Sequence, residues 1–447
     1  MADAVSADVV VVGAGLSGLA AARDLTAAGC KVAILEARER VGGRVHSVDT
    51  PTGVTVDLGA QWLAPNMRRM HELVRIHQIP TVKTHVSGKK VFVFHGQRKL
   101  SKGLPPLPPH AIVDLLQFRS RSDRLTRGVP AEQPWTAKLA KELDRTTLGQ
   151  WVADGCYTRG ARGYWSAIGE EGLCASMSEV SLLEILWQLK TMGGPLATLE
   201  TTEERFLAGG SSQIVKAIAT PLAERIHCGQ VVRRIEHQQG SVRVVTNNGE
   251  FHGQRVIVAM PPTLAARIDY EPQLPALRDQ LTQRLGQGSV IKVISIYAEP
   301  FWRADGLCGS AYSDIGPVKG VLDCSPPDGV GVLVGLICGA DARHWSPRSA
   351  SERRAAVLEQ LATYYGDKAR NPEHFVEKDW SVDPWSRGGY GMHFPPGVLT
   401  QFGPAAWDPI GSIHWAGTEI ATEWRLYMEG ALQSGERAAA EVLAALS

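Results

Sequence analysis

Asp8-Val9-Val10-Val11-Val12-Gly13-Ala14-Gly15-Leu16-Ser17-Gly18 is the stretch that decides the fold. It joins four consecutive valines to three glycines in G-x-G-x-x-G spacing, and an alanine-rich helix is predicted to follow at once. Gly13 permits a tight turn, Gly15 lets the backbone approach a phosphate closely, and Gly18 lets the helix pack on the strand. The helix N terminus offers unbonded N–H groups to an anion. The stretch therefore predicts a strand–turn–helix unit that holds a dinucleotide.

The residues that follow favour this interpretation over a glycine-rich turn without a ligand. The helix from Leu16 is predicted to stop before Gly29, and a second buried strand from Lys31 to Leu35 leads into Glu36. An acidic side chain about twenty residues beyond the last glycine can accept hydrogen bonds from ribose hydroxyls. An acid at this position also disfavours a 2′-phosphate on the ribose.

A second glycine-rich segment indicates which dinucleotide is bound. Glu36-Ala37-Arg38-Glu39-Arg40-Val41-Gly42-Gly43-Arg44 is followed further on by Asp57-Leu58-Gly59-Ala60-Gln61-Trp62. Two glycines between arginines let the main chain pass close to a pyrophosphate while guanidinium groups neutralise it. This combination resembles the flavin amine oxidase family, whose members hold FAD with a G-x-G-x-x-G unit followed by E-A-R-x-R-x-G-G-R. The resemblance implies FAD rather than NAD.

The overall composition excludes several other classes of protein. A chain of 447 residues is too long for one core and suits two domains. The net charge of +1 gives no electrostatic basis for binding nucleic acid or an anionic membrane. No window has about eighteen uninterrupted apolar residues, and the first strand begins too early to leave room for a signal peptide. We therefore expect neither a membrane span nor a secreted protein.

Cysteine and histidine spacing excludes further chemistries. The seven cysteines are scattered without a C-x-x-C pair, which indicates reduced thiols and a cytoplasmic location. The histidines show no metal-ligand spacing, and neither a G-x-S-x-G nor a P-loop motif is present. We expect no metal ion. The sequence does not determine the oligomeric state, and a homodimer is one option.

The pattern along the chain predicts two interleaved domains. Proline-punctuated helical stretches, including a long segment from Ala161 to Lys190, interrupt the dinucleotide-binding fold, and the chain returns to it at Arg205 and near Trp380. Residues 1–83, 205–287 and 380–447 are predicted to form an α/β, Rossmann-like FAD-binding domain. Residues 84–204 and 288–379 are predicted to form an inserted α+β substrate domain. The resemblance implies the amine oxidase or p-hydroxybenzoate hydroxylase-like fold.

Later motifs extend the resemblance over essentially the whole chain. They include a Gly-Gly-Ser turn at 209–211, V-I-V-A-M-P-P at 256–262, Trp385 to Tyr390 and Ala416 to Ala431. They are closest to the soluble bacterial monoamine and cyclohexylamine oxidases. For FAD binding the resemblance implies Gly13, Gly15, Leu16, Ser17, Gly18, Glu36, Ala37, Arg38, Gly43, Arg44, Gly59, Ala60, Gln61, Trp62, Val231, Trp380, Tyr390, Gly417, Thr418, Tyr427, Met428 and Ala431.

Three residues carry the catalytic prediction. Tyr390 and Tyr427 match the two family tyrosines that form an aromatic cage, which steers an amine toward the flavin and attracts its cationic form. Judged without the resemblance, they are more readily interpreted as two core tyrosines with bonded hydroxyls. Lys292 interrupts the apolar strand Val290-Ile291-Lys292-Val293-Ile294, where a charge is costly unless it is paired or functional. The alternative interpretation of Lys292 is that this strand has one face in solvent. In the family this lysine is implicated in reoxidation by oxygen.

The substrate pocket and the mode of flavin attachment complete the prediction. Leu173, Leu199 and Phe301 match pocket positions by local resemblance, and Glu203 is a further candidate. Mitochondrial monoamine oxidases have a flavin-linked cysteine just before the first cage tyrosine, and Gly389 stands there in this chain. We therefore expect FAD to be bound without a covalent bond.

These observations together predict an FAD-dependent oxidase of small hydrophobic primary amines, cyclohexylamine-like or arylalkyl. The amine would be converted to an imine and then to a ketone or aldehyde plus ammonia, with oxygen reduced to hydrogen peroxide. A polyamine oxidase or an L-amino-acid oxidase on the same fold remains an alternative. So do an FAD-dependent desaturase or protoporphyrinogen-type oxidase and a non-catalytic flavoprotein.

Overall fold

A five-stranded parallel sheet contains the N-terminal stretch. The computed structural model describes residues 5–194, 196, 201–327 and 329–447. In spatial order the strands of this sheet are Ile226–His227, Val32–Leu35, Val9–Val12, Arg255–Ala259 and Ile413–Ala416. All four neighbouring pairs are parallel. The predicted α/β fold with a Rossmann-like sheet is confirmed.

The parallel sheet is the middle of three layers. Val9 and Val11 pack with the helices Leu16–Ala27 and Met428–Leu446 on one face. Val10 and Val12 pack on the other face against a second sheet. Because both faces are covered, the strand is a continuous apolar run rather than an alternating one.

The second sheet is mixed and is assembled around two hairpins. Its strands in spatial order are Val5–Ser6, Glu250–Gly253, Ser241–Thr246, Val232–Gln238 and Asp269–Glu271.

A separate three-stranded sheet has Arg205–Leu207 at its centre, paired with Trp62–Leu63 on one side and with Thr81–Lys83 on the other. The chain therefore does return at Arg205 to its N-terminal segment. The two remaining small sheets pair Ser47–Asp49 with Thr55–Asp57 and Gly286–Gln287 with Met392–His393.

A seven-stranded sheet forms the other large layer. Its strands in spatial order are His374–Asp379, Val290–Tyr297, Gly331–Cys338, Gly320–Asp323, Leu307–Ser313, Lys89–Phe94 and Gln97–Ser101. Leu307–Ser313 and Lys89–Phe94 run parallel, and the other pairs are antiparallel. Every residue of Val290–Tyr297 is buried, so the strand that holds Lys292 has no face in solvent.

Helices cover the sheets and form a separate block. The α-helices are Leu16–Ala27, Arg68–Ile76, Pro109–Arg127, Ala140–Arg145, Leu148–Gly155, Arg159–Leu173, Leu182–Thr191, Ser212–Ala219, Pro262–Ala265, Ala276–Arg284, Gly339–Trp345, Ala350–Tyr365, Val398–Phe402 and Met428–Leu446. The segment predicted from Ala161 to Lys190 consists of two of them. The first ends at Cys174, which adopts a left-handed conformation with φ 54°.

The sheets agree with the predicted interleaving of segments. Every strand of the parallel sheet comes from the three segments assigned to FAD binding, and every strand of the seven-stranded sheet from the other two. One hydrophobic core joins the helical block to residues 392–402. The domain boundaries themselves stay a prediction. In the described ranges, no helix combines the length and apolar character needed to cross a bilayer.

Candidate active site

The glycine-rich turn opens a space at the end of the parallel sheet. Gly13 adopts φ +102° and donates its N–H to the Leu35 carbonyl at 2.7 Å. A Cβ added at Gly15 would meet no heavy atom within 4 Å, whereas one added at Gly18 would lie 1.9 Å from the Gly13 carbonyl oxygen. Gly15 therefore faces open space at the N terminus of helix Leu16–Ala27, and Gly18 is the close-packing position.

Glu36 and the arginines after it are tied to neighbouring loops. The Glu36 carboxylate accepts hydrogen bonds from the N–H groups of Ala14 and Arg38, both at 2.9 Å. The Arg38 guanidinium donates to Asp383 at 2.7 Å and to Ser386 at 2.8 Å. The chain's own carboxylate therefore neutralises much of the charge that we expected Arg38 to bring to a pyrophosphate.

Arg44 lies between the two loops that carry the predicted cage tyrosines. One of its guanidinium nitrogens donates to the Tyr390 carbonyl and to the Glu419 carboxylate, each at 2.6 Å. Glu419 is fully buried, and its second carboxylate oxygen finds no hydrogen-bond partner among the residues that the structure describes. Thr418 donates its hydroxyl to the Tyr427 carbonyl at 2.8 Å. Arg44 therefore orders the tyrosine loops in addition to lining the predicted cofactor site.

One cavity of about 1220 Å³ contains nearly all of the predicted site. The predicted cofactor and catalytic residues that line it are Gly13, Gly15, Leu16, Ser17, Glu36, Ala37, Arg38, Gly43, Arg44, Gly59, Ala60, Gln61, Trp62, Val231, Lys292, Trp380, Tyr390, Thr418, Tyr427, Met428 and Ala431. Residues from all three segments of the predicted FAD-binding domain thus surround one space. Gly18 and Gly417 do not line it; Gly417 donates its N–H to Ser434 at 3.1 Å.

Two predicted pocket residues lie elsewhere. Phe301 packs edge-to-face against Tyr297 and Trp302, with ring centroids 5.3 and 5.2 Å apart, in a core cluster of the seven-stranded sheet. Leu173 is buried in the core of the helical block. Neither side chain lines the cavity, and the assignment of both residues to the substrate pocket stays a prediction. Leu199 lies outside the described residues.

Lys292 is held at the wall of the cavity by two oxygen acceptors. Its ammonium donates to the Gln61 side-chain oxygen at 2.7 Å and to the Gly59 carbonyl at 3.0 Å. It also lies 4.9 Å from the centroid of the Trp62 ring. Burial lowers the pKa of the Lys292 amine to about 8, and the Asp57 carboxylate opposes this shift. A buried lysine in this setting changes charge near neutral pH.

Tyr390 and Tyr427 both face the cavity. Tyr390 packs against an apolar cluster of Cys174, Val290, Leu336, Cys338 and Trp380. The Tyr427 ring meets the Trp424 ring edge-on at 5.1 Å. Burial raises the pKa of both hydroxyls above the ordinary range. The two phenols therefore stay neutral near pH 7.

The cavity also contains a group of polar residues, of which the sequence analysis identified only Glu203. Glu171, Tyr312 and Lys90 line the cavity together with Glu203. Burial and then the charge of Glu203 raise the pKa of Glu171 to about 8. Burial also raises the pKa of Glu203. Glu171 follows another glutamate within a helix, and no feature of the local sequence distinguishes it.

The residues present fit a flavin dinucleotide. The N termini of two long helices, at Leu16 and Met428, open on the cavity, and their N–H groups and dipoles favour anionic ligand groups. The open position at Gly15 leaves room for a phosphate beside the first helix. In the part of the chain that the structure describes, no three His, Cys, Asp or Glu side chains are grouped to hold a metal ion.

Comparison with known proteins agrees with this geometry. Residues 16–443 match the family described as flavin containing amine oxidoreductase. An L-amino acid dehydrogenase of Synechocystis is 36% identical over 100% of this chain and 97% of its own length. The solved structure of putrescine oxidase bound to putrescine has a TM-score of 0.95 at 31% identity and covers 99% of this chain and 100% of that chain.

A second solved structure shares the same fold. Cyclohexylamine oxidase from Brevibacterium oxydans has a TM-score of 0.93 at 30% identity and covers 98% of this chain and 99% of that chain. These matches extend over nearly the whole length on both sides. The chain therefore belongs to the flavin-containing amine oxidoreductase family, and it is a flavin-containing oxidoreductase that acts on amines.

Proposed function

We propose that this enzyme oxidises small hydrophobic primary amines, with cyclohexylamine-like and arylalkyl amines as the substrate class. The observation that carries the proposal is the apolar wall beside Tyr390, where Val290 and Leu336 pack against the ring and also line the cavity. A desolvated amine with an apolar body fits such a wall. The overall reaction converts amine, oxygen and water into aldehyde or ketone, ammonia and hydrogen peroxide.

The side chains have separable tasks in this reaction. Bound FAD supplies the two-electron chemistry, accepting the electrons and the α-hydrogen of the amine and delivering electrons to oxygen. The faces of Tyr390 and Tyr427 orient the amine, and the apolar surroundings favour its neutral form. Lys292 presents a positive charge at the cavity wall during reaction with oxygen. The dipole of helix Met428–Leu446 stabilises negative charge at its N terminus.

A panel of amines tests this substrate class. The purified enzyme is mixed without oxygen with cyclohexylamine, benzylamine, putrescine and L-phenylalanine, and flavin absorbance is followed at roughly 450 nm. We expect rapid bleaching with the first two amines and recovery in air with hydrogen peroxide formed. Bleaching only with L-phenylalanine would instead move the substrate toward that of the Synechocystis relative. Failure of every amine to bleach a loaded flavin would overturn the proposal.

We further propose that the flavin is bound without a covalent bond. Gly389 has no side chain to form one, and a Cβ there would lie 2.9 Å from Val290. The described residues that line the cavity include neither cysteine nor histidine. Acid denaturation is therefore expected to leave the yellow flavin in the supernatant. Flavin fluorescence that stays with the polypeptide band on a denaturing gel would contradict this.

A diamine is the second candidate substrate, because of the two carboxyl groups in the cavity. The carboxyl groups of Glu171 and Glu203 offer a partner for the second, charged amino group of a diamine while its first amino group is oxidised. In the absence of a ligand, Glu171 with its pKa of about 8 is mostly protonated at pH 7. Binding of a dication would require it to ionise, so kcat/KM for putrescine relative to cyclohexylamine is expected to rise as pH approaches 8.

Glutamine substitution separates the two candidates. If diamines are substrates, Glu171→Gln is expected to raise KM for putrescine by about tenfold, the equivalent of one lost charged contact, and to leave KM for cyclohexylamine nearly unchanged. Glu170→Gln is the matched control, since Glu170 is the adjacent residue and pairs with Lys319 at 2.8 Å instead of lining the cavity. Equal effects of both substitutions on both amines would exclude a specific ammonium site.

A further inference from the structure

Arg425 is a fully buried cation between the two loops that carry Tyr390 and Tyr427. Its side chain is 0% exposed. The guanidinium donates from Nε to the Glu419 carbonyl at 2.8 Å and from Nη2 to the Met392 carbonyl at 3.1 Å. Met392 lies two residues after Tyr390, and Glu419 lies in the loop that leads to Tyr427. One side chain thus links both loops.

Glu184 provides the counter-charge for Arg425 and a second link to the Tyr390 loop. Its carboxylate lies 2.8 Å from the Arg425 guanidinium and is also 0% exposed. The other carboxylate oxygen accepts the Phe394 N–H at 2.7 Å. Because Glu184 belongs to helix Leu182–Thr191, the ion pair anchors both loops to a rigid element of the helical block.

The backbone around Arg425 is strained and needs such anchoring. Trp424 and Leu426 both lie in the left-handed region, with φ 48° and φ 69°. Residues other than glycine rarely adopt this conformation, and it persists only where surrounding contacts determine it. Thr191 supplies two of those contacts, since its carbonyl accepts the Trp424 N–H at 2.8 Å and its hydroxyl accepts the Arg425 N–H at 3.2 Å. The strained segment ends directly at Tyr427.

A contribution to stability alone does not account for this arrangement. The desolvation of two buried charges offsets much of their attraction, so a buried ion pair is weak support for net stabilisation. A planar guanidinium instead fixes several acceptors in a defined geometry, which a lysine or an apolar side chain cannot reproduce. The hydrogen-bond acceptors here are two backbone carbonyls, one on each tyrosine loop, and the Glu184 carboxylate on the helix supplies the opposite charge.

We propose that Arg425 and Glu184 are positioning residues for amine oxidation, and that their ion pair sets the separation and orientation of the Tyr390 and Tyr427 rings. The inference rests on the proposed function, in which these rings hold the amine. Neither Arg425 nor Glu184 lines the cavity, so the pair would act through the two loops. A displacement of about 1 Å in the position of a bound substrate can cost up to about a hundredfold in rate.

Two variants test the inference, each studied as the flavin-loaded full chain. Arg425→Lys keeps a buried cation near Glu184 but cannot reach both carbonyls, and Glu184→Gln keeps the volume and removes the charge. We expect each to slow the limiting rate of anaerobic flavin reduction by cyclohexylamine by about tenfold or more. The apparent dissociation constant of the amine, the flavin content and the reoxidation rate of dithionite-reduced enzyme are expected to change by less than about threefold. Crystal structures of the variants should show altered spacing between the two rings.

Asp323→Asn is the control for the loss of a buried carboxylate that belongs to an ion pair. Asp323 is 0% exposed, and it accepts hydrogen bonds from Arg303 at 2.9 Å, Trp302 at 2.8 Å and the Ser325 N–H at 2.9 Å, all outside the two tyrosine loops. It is expected to lower the melting temperature while leaving the rate of flavin reduction within about twofold of wild type. If flavin reduction keeps its wild-type rate in both Arg425→Lys and Glu184→Gln, the inference about the ion pair is overturned and the proposed function is not affected. If no amine reduces the wild-type flavin, the proposed function fails and this inference falls with it.

Discussion

Replacing Lys292 with methionine is expected to slow reoxidation of the reduced enzyme by oxygen about a hundredfold or more, while reduction by amine changes little. The ammonium is a preorganised positive charge at the wall of a buried cavity, and removal of one such group typically costs about a hundredfold to a thousandfold in rate. Methionine has similar length and volume but no charge. Stopped-flow mixing of amine-reduced enzyme with oxygenated buffer measures the effect directly.

The pH dependence of reoxidation gives a second test of Lys292. Burial lowers the pKa of its amine to about 8, so the amine is charged below that pH and neutral above it. If the charge assists reaction with oxygen, the wild-type rate constant falls as pH rises through about 8. The Lys292→Met variant should lack this fall. A pH dependence that is the same in both proteins would contradict the assignment.

Thermal unfolding separates this effect from damage to the fold. Since the folded state lowers the pKa of Lys292 from its ordinary 10.5, it favours the neutral amine. The charged lysine therefore destabilises the folded protein fully below about pH 8, and this contribution vanishes as pH rises toward 10.5. Methionine removes it but leaves the Gly59 carbonyl and the Gln61 side chain without their donor. We expect these opposing changes to keep the melting temperature near that of wild type at pH 7.

The sequence predicted most of the cofactor-side geometry because short segments determine it. The turn from Gly13 to Gly18 and the strand end at Glu36 are local features. Gly13, Gly15 and Glu36 line the cavity, and Gly18 packs closely against the turn. For Lys292 the apolar strand alone left a solvent-exposed face open, and the resemblance favoured the buried position that the structure shows, with Gln61 and Gly59 as acceptors. For the glycine turn and Glu36, the hydrophobic pattern and the motif spacing carried the prediction, and the resemblance supplied the rest.

The substrate side could not be predicted in the same way, because packing between distant segments forms it. Phe301 is as apolar as any pocket residue, but the neighbouring rings of Tyr297 and Trp302 draw it into a core. Glu171 has an ordinary helical neighbourhood, and its pKa is raised first by burial and then by the charge of Glu203, both of which depend on segments far away in the sequence. The link from Arg425 to Met392 likewise spans residues far apart in the sequence.

Gly18→Ala is expected to leave the purified protein with less than about a tenth of the wild-type flavin content. The added Cβ would lie 1.9 Å from the Gly13 carbonyl oxygen and 3.3 Å from the Ala259 side chain. A backbone oxygen cannot rotate away, so the turn at Gly13 must move relative to helix Leu16–Ala27. Overpacking of this kind costs about 3 kcal/mol or more, roughly a hundredfold in affinity. The ratio of flavin to protein absorbance, followed by titration with added FAD, measures the loss.

Gly163→Ala is the control that isolates the turn from a general intolerance of added methyl groups. Gly163 lies within helix Arg159–Leu173, and a Cβ there would meet no atom within 4 Å. Alanine should stabilise that helix by about 0.5–1 kcal/mol and leave the flavin content unchanged. The contrast between the two substitutions depends only on what each methyl group meets. Full flavin loading of Gly18→Ala, with wild-type affinity for added FAD, would mean that the geometry of the Gly13 turn does not govern cofactor binding.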